Sequence, residues 1–168
     1  YPLDGIVAAE DEFTPVAASA SEALGLTHHP PDAVAFARNK GLMRDRLAAS
    51  GFPTPWYRIA ELQSDPDDTA SAARFPCVLK PLSLSASRGV IRANTPEEFV
   101  RAWKRIRIIL EDDNATHRRR PALTEILIED YLPGQEVALE GIVTAGRLQT
   151  LALLDKPDAM EGPFFEET

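Results

Sequence analysis

Apolar and polar positions along this chain change period several times, and each change predicts an element. Gly5-Ile6-Val7-Ala8-Ala9 is a short apolar run that predicts a strand, with Glu10-Asp11-Glu12 at its carboxyl end. Thr14-Pro15 matches a helix cap followed by proline at the first helical position, so residues 16–24 read as an alanine-rich helix that Gly25 stops. Asp32 can cap a short helix ending at Arg38, and Asn39 a second one from Lys40 to Ser50 that stops at Gly51. Phe52-Pro53-Thr54-Pro55 forces an extended stretch into Trp56-Tyr57-Arg58-Ile59, and residues 64–72 read as a polar loop running into a short helix. Phe75-Pro76-Cys77-Val78-Leu79-Lys80-Pro81 predicts a buried strand, with Val90-Ile91-Arg92 as the next one. Thr95-Pro96-Glu97-Glu98 then opens a helix through a capping box, and Phe99, Ala102, Trp103, Ile106 and Leu110 mark its apolar face. A polar loop over residues 112–121 leads to a strand over 123–131. Residues 136–144 and 148–154 form the two arms of a hairpin around Ala145-Gly146. Helices and strands both recur along the chain, which gives an α/β (α+β) class.

Composition narrows the function. Hydrophobic residues make up 44% of the 168 positions and charged residues 26%, the balance of an ordinary globular chain. The net charge of −8 argues against nucleic acid or a membrane surface as partner, yet leaves room for a small anion held by a few local cations. The single cysteine, Cys77, excludes a disulfide framework and a cysteine zinc site, and fits a reducing cytoplasm. No apolar run reaches the roughly 20 residues of a membrane helix, and no signal peptide is visible. The start at Tyr1 and the end at Phe164-Phe165-Glu166-Glu167-Thr168 suggest a piece of a longer chain.

Two constellations carry chemistry. Lys80 ends an apolar strand, so its ammonium must reach a cleft or an anionic partner, because burying it unpaired is costly. The adjoining Ser83-Leu84-Ser85-Ala86-Ser87-Arg88-Gly89 loop is rich in hydroxyls and backbone donors and can close over phosphates, though an ordinary hairpin reads equally from these residues alone. Neither a Walker loop nor a dinucleotide fingerprint is present. The second constellation is Glu129-Asp130-Tyr131-Leu132-Pro133-Gly134-Gln135-Glu136. Glu129 should lie at a strand rim, backbone groups of residues 130–132 can bond a purine edge, and Glu136 can accept from ribose hydroxyls. A β-turn flanked by solvated acids fits the same spacing. His28-His29 and the triple arginine at 118–120 read as surface or loop residues, and Glu10-Asp11 as loop acids or a cleft wall.

In this order and spacing the segments resemble the ATP-grasp superfamily, in its carboxylate–amine ligase branch, over most of the chain. The resemblance rests on Asn39-Lys40, Ser50-Gly51-Phe52-Pro53-Thr54-Pro55, Phe75-Pro76-Cys77-Val78-Leu79-Lys80-Pro81, the 83–89 loop, and Glu129 through Glu136. Leu154-Asp155-Lys156-Pro157 followed by Gly162 to Thr168 looks like the amino-acid-ligase-like members. The resemblance implies an incomplete ATP-grasp fold: residues 1–38 as the tail of a preceding Rossmann-like domain, and 39–168 as the ATP-grasp domain, ending before its metal-binding strands.

The resemblance also implies the roles. Lys40 and Lys80 would bind ATP phosphates, and Ser85, Ser87, Arg88 and Gly89 would belong to the loop that closes over them. Glu129 would contact the adenine amino group. Asp130, Tyr131 and Leu132 would line the purine edge, with the main chain of Asp130 and Leu132 bonding it, and Glu136 would hold the ribose. The loop departs from the family in carrying only one glycine. Mg2+ would be bound by residues beyond Thr168, so no metal ligand and no catalytic residue is assigned here. The parent would be an ATP-dependent ligase joining a carboxylate to an amine (or a thiol) through an acyl-phosphate. The implied partners are ATP, a small carboxylate and an amine, with homodimerisation of the parent as an open expectation. The alternative is a non-catalytic nucleotide-binding or interaction module on the same scaffold.

Overall fold

A computed structural model of the chain describes residues 2–117, 123–156, 162 and 164. A 3-10 turn, Asp11–Phe13, leads into α1 (Thr14–Ala23), followed by α2 (Pro31–Arg38) and α3 (Lys40–Ala49). Next come β1 (Tyr57–Glu61), α4 (Pro66–Ser71), β2 (Cys77–Pro81), β3 (Ile91–Ala93) and α5 (Pro96–Thr116). The chain then enters β4 (Glu125–Asp130), β5 (Val137–Thr144) and β6 (Arg147–Asp155).

Four strands form one antiparallel sheet in the order β1-β4-β2-β3, and β5 and β6 form a separate two-stranded sheet. Alternation along the strands divides the four-stranded sheet into two faces. Cys77 and Leu79 on β2, Ile91 and Ala93 on β3, and Ile126 and Ile128 on β4 join one core with Phe99, Ala102, Trp103, Ile106 and Leu110 of α5. The predicted apolar stripe of α5 is therefore the stripe that is buried, and Phe75 adds an edge-on contact with Phe99. Residues at the alternate positions, including Lys80 and Glu129, fall on the opposite face.

The register makes this division explicit. Val78 lies opposite Glu129 and Lys80 opposite Leu127, so Lys80 and Glu129 are diagonal neighbours across the β2–β4 ladder. Helix α3 approaches that same side. Asn39 Oδ1 accepts from the N–H groups of Gly41 and Leu42, as its sequence position predicts, and so fixes the helix start at Lys40. Gly41 allows the close approach: a Cβ there would sit 2.7 Å from Cδ1 of Ile59 on β1. Gly51, at φ +77°, ends α3 in the left-handed conformation.

Five sequence expectations need correction. Asp32 does not cap α2: the helix starts at Pro31 after Pro30, no side chain caps it, and Asp32 lies within its first turn. Residues 5–9 form no strand, and Val7 is 93% exposed, because no described strand offers a ladder to them. Thr14 does not cap α1. Its hydroxyl donates to the Asp11 carbonyl of the preceding 3-10 turn, which makes Phe13 the residue before the helix. Thr95 does cap α5, accepting from the Glu98 N–H, but the Glu98 carboxylate accepts from the N–H of Asn94 instead of closing the box on Thr95. Finally, α5 runs to Thr116, through the residues expected to begin a loop. Asp113 extends its buried face, and Asn114 fastens the helix to Leu123 through two hydrogen bonds. The triple arginine 118–120 lies outside the described residues.

The hairpin matches its prediction, with Ala145 and Gly146 both at positive φ, as a two-residue type I′ turn requires. Its strands leave Val137, Leu139, Leu148 and Leu153 exposed. Of the terminal segment, Phe164 bridges antiparallel to Ile91 on the edge strand β3, with the Arg105 guanidinium over its ring.

The α5–sheet core sets the stability of everything the sheet presents. Truncating Ile106 to alanine, a fully buried side chain, should cost about 2–5 kcal/mol. Urea unfolding should show this as a lower midpoint with an unchanged slope. By contrast, Ile108→Ala, on the exposed side of the same helix, should stay within about 0.5 kcal/mol of the parent.

Candidate functional site

The face opposite α5 carries the densest group of buried charge among the described residues. Glu129 is only 6% exposed, although its place at a strand end predicts a rim position. Two cations make the buried position tenable. Lys80 Nζ pairs with Glu129 Oε1, and Arg44 Nε donates to Glu129 Oε2 at 2.8 Å. Burial by itself would raise the Glu129 pKa. The Arg44 hydrogen bond and the Lys80 charge outweigh it and hold the carboxyl below its usual range.

Lys40 completes the group. Its Nζ donates to the Leu84 carbonyl at 2.7 Å and to the Leu82 carbonyl at 3.4 Å, and its own N–H donates to Leu82 O. Arg38 Nη2 donates to the Ser83 carbonyl at 3.2 Å. The α2–α3 junction thus holds the root of the 83–89 loop by backbone carbonyls, which no side-chain change in the loop would alter. Burial first, then the Lys80 and Arg38 charges, lower the Lys40 pKa to about 8, with Glu129 opposing. Three cations around one carboxylate leave a local excess of positive charge in a chain whose net charge is −8. Such a concentration of cations at a strand end suits a polyanion.

The remaining expected residues are placed differently. Ser85 is exposed and Ser87 half-buried, with Ala86 and Ser87 at φ 53° and 52° in the turn and Gly89 at φ 73° packed against Pro81. Arg88 reaches Asp113 on α5, Nη1 to Oδ1 3.2 Å, with the His117 ring 3.5 Å from the same oxygen. The loop, Arg38 and Arg88 line a groove of about 420 Å3 with Glu10, Asp11 and Glu12, so the acids after the first apolar run do face a cleft. Asp11 lies 3.5 Å from Arg38 there. The Asp130 N–H is donated to the Trp56 carbonyl and the Tyr131 N–H to that of Pro76, which leaves Leu132 as the N–H donor along this edge. Tyr131 is covered by the Arg92 guanidinium, 3.9 Å from its ring. Glu136 is held apart at the base of the hairpin, 2.8 Å from Lys156 Nζ. Glu140 is exposed, and no group of three or more His, Cys, Asp or Glu able to hold a metal occurs among the described residues. Burial pushes the Cys77 thiol up to about 12, which removes it as a nucleophile.

Arg44 is the member that sequence reasoning missed. The signal was present: in a helix that begins at Lys40, Arg44 lies one turn further on the same side.

A family model for the ATP-grasp domain matches residues 73–168, more than half of the chain. The chain belongs to the ATP-grasp family. Among solved structures, the L-amino acid ligase from Bacillus licheniformis superposes at a TM-score of 0.74 with 26% identity, covering 99% of this chain and 38% of that one. An ADP complex of N5-carboxyaminoimidazole ribonucleotide synthetase shares the fold at a TM-score of 0.69 and 15% identity, over 93% of this ATP-grasp chain and 38% of its own. Among curated relatives, an ATP-grasp enzyme of Aspergillus fumigatus is 27% identical over 92% of this chain and 24% of its own length. A formate-dependent phosphoribosylglycinamide formyltransferase of Salmonella arizonae is 39% identical over 35% of the chain and 16% of its own. The ATP-grasp chain described here therefore spans well under half the length of these relatives.

The depressed Lys40 pKa has a measurable consequence for stability. Between about pH 8 and the unfolded value near 10.5, the unfolded chain binds the proton that the folded chain has lost, so stability should rise with pH across that window. Urea unfolding at pH 7.5 and 9.5 should show this gain in the parent and a smaller gain in Lys40→Met. An equal gain in both would assign it to other groups.

Proposed function

We propose that this ATP-grasp chain is the nucleotide-holding part of an ATP-dependent ligase that joins a carboxylate to an amine or a thiol. The observation that carries the reading is the Lys40–Lys80–Arg44 cluster around the buried Glu129, at the root of the 83–89 loop. The kinship with an L-amino acid ligase supports the substrate class.

In this reading Lys80 and Lys40 neutralise phosphate oxygens of ATP, each ammonium exchanging its present partners, Glu129 and the Leu84 carbonyl, for phosphate. Glu129, held ionised, accepts from the adenine amino group. The Leu132 N–H and a main-chain carbonyl at Asp130 meet the purine edge, with Tyr131 between them. Glu136 takes the ribose hydroxyls, once released from Lys156. Ser85, Ser87, Arg88 and Gly89 form the cover over the triphosphate, which requires Arg88 to leave Asp113. Residues 1–38 belong to a preceding domain and 39–168 to the ATP-grasp domain.

The chemistry then follows from charge and positioning. A substrate carboxylate oxygen attacks the γ-phosphorus and the bond to the β-phosphate oxygen breaks, giving an acyl-phosphate and ADP. The amine attacks the acyl carbon, phosphate leaves with its bonding electrons, and the nitrogen loses a proton. No enzyme nucleophile is needed, in keeping with a buried Cys77. Mg2+ would offset further phosphate charge; the described residues do not themselves gather a site for it. Among them no helix is long and apolar enough to cross a membrane.

Calorimetry on the full chain tests the nucleotide role. Lys80→Ala should weaken ATP binding by roughly tenfold or more, as expected for a charge-assisted contact. Glu136→Gln should weaken ATP more than 2′,3′-dideoxy-ATP. Equal losses for both nucleotides would remove the ribose assignment. This chain by itself should not turn over, so phosphate release from ATP by the full-length parent across a panel of amino and hydroxy acids tests the ligase reading. Binding without turnover on any pair would favour a non-catalytic nucleotide-binding module.

A further inference from the structure

We propose that Arg44 is a positioning residue that keeps Glu129 paired while Lys80 leaves it for nucleotide phosphate. The inference rests on the ATP reading above and adds a residue to it.

Glu129 lies almost wholly out of water, with both carboxylate oxygens occupied: Oε1 by Lys80 and Oε2 by Arg44. If Lys80 were its sole countercharge, moving that ammonium to phosphate would strand a buried carboxylate, which is strongly destabilising. The exchange would then be resisted by the very residue that is to receive adenine. Arg44 removes the conflict. Its guanidinium is always protonated, binds through Nε at 2.8 Å and reaches Glu129 from helix α3, independently of the sheet.

Its anchorage is also fixed in advance. Asn39 sets the start of the helix, and Gly41 lets it lie against Ile59. Lys40, one turn before Arg44, is bound to loop carbonyls and not to Glu129, so it does not substitute for either cation. Arg44 and Lys80 thus divide the two oxygens: one cation stays and one is free to exchange.

Binding of ATP by calorimetry, with the full chain, tests this through Arg44→Gln, Arg44→Lys, Lys80→Ala and Lys80→Ala/Arg44→Gln. Arg44→Gln, which keeps a donor without the charge, should weaken ATP roughly tenfold, and Arg44→Lys should recover to within about threefold of the parent. In the Lys80→Ala background the same Gln change should add less than about threefold, since there is no ammonium left to release. A purely structural Arg44 would instead give multiplying losses. A folded Arg44→Gln that binds ATP like the parent, or losses that multiply, would overturn the proposal. Failure of the unmodified chain to bind ATP would overturn the nucleotide reading and this inference together, which separates the two cases. Should Arg44→Gln not fold, the unmodified protein decides: on ATP addition the Lys80 ammonium resonance should move while the Arg44 Nε–H resonance keeps its hydrogen-bonded position. Movement of the Arg44 signal with a static Lys80 signal would contradict the proposal.

Discussion

A carboxylate buried at the end of a strand needs countercharge, and in this chain that need organises the site. Glu129 is only 6% exposed on the face of the sheet turned away from α5, so it can remain ionised only if cations reach it from elsewhere in the fold. One arrives on the neighbouring strand β2, as Lys80. The other arrives on helix α3, as Arg44. Their meeting requires the β2–β4 register and the closeness of α3 to β1, and hence Gly41 where any side chain would meet Ile59. The positive excess left over, with Lys40, is what the ATP-grasp chain presents at the mouth of its loop.

The same geometry explains how one sheet serves two purposes. Period-two alternation sends Leu79 and Ile128 into the core and Lys80 and Glu129 to the other side, with no change in backbone. A one-residue slip of β2 against β4 would exchange the two faces, turning Lys80 into the α5 core and leucine toward the charged side. The apolar core therefore enforces the charge geometry, and the site inherits its precision from packing that never touches it.

Much of this was legible in the residue order, and the exceptions have physical causes. Asn39 and Gly51 bound α3 correctly because caps are local interactions, and the 3.6-residue stripe of α5 identified its buried face because one amphipathic period suffices. The five-residue run at 5–9 failed because a strand exists only with a partner, and apolar residues alone do not supply one. The hidden Glu129 failed for the opposite reason: the sequence of β4 ends in acids, which reads as a rim, while the two cations that permit burial lie 49 residues upstream on β2 and 85 upstream on α3. Arg44 lies one turn from Lys40, but an arginine on a polar helix reads as solvated, and nothing local marks Glu129, 85 residues on, as its partner. The loop's contacts are the least determined by sequence, since nothing in its own residues marks Asp113, 25 positions on, as the partner of Arg88.

In the proposed exchange Lys80 leaves Glu129 for nucleotide phosphate while Arg44 remains. A crystal structure of the full chain with a non-hydrolysable ATP analogue measures this directly. The Lys80 and Lys40 ammonium groups should lie within hydrogen-bond distance of phosphate oxygens, with adenine on the Glu129 side and the Arg44–Glu129 hydrogen bond intact. An analogue bound elsewhere, or one bound with the Lys80–Glu129 pair undisturbed and no phosphate at either lysine, would contradict it.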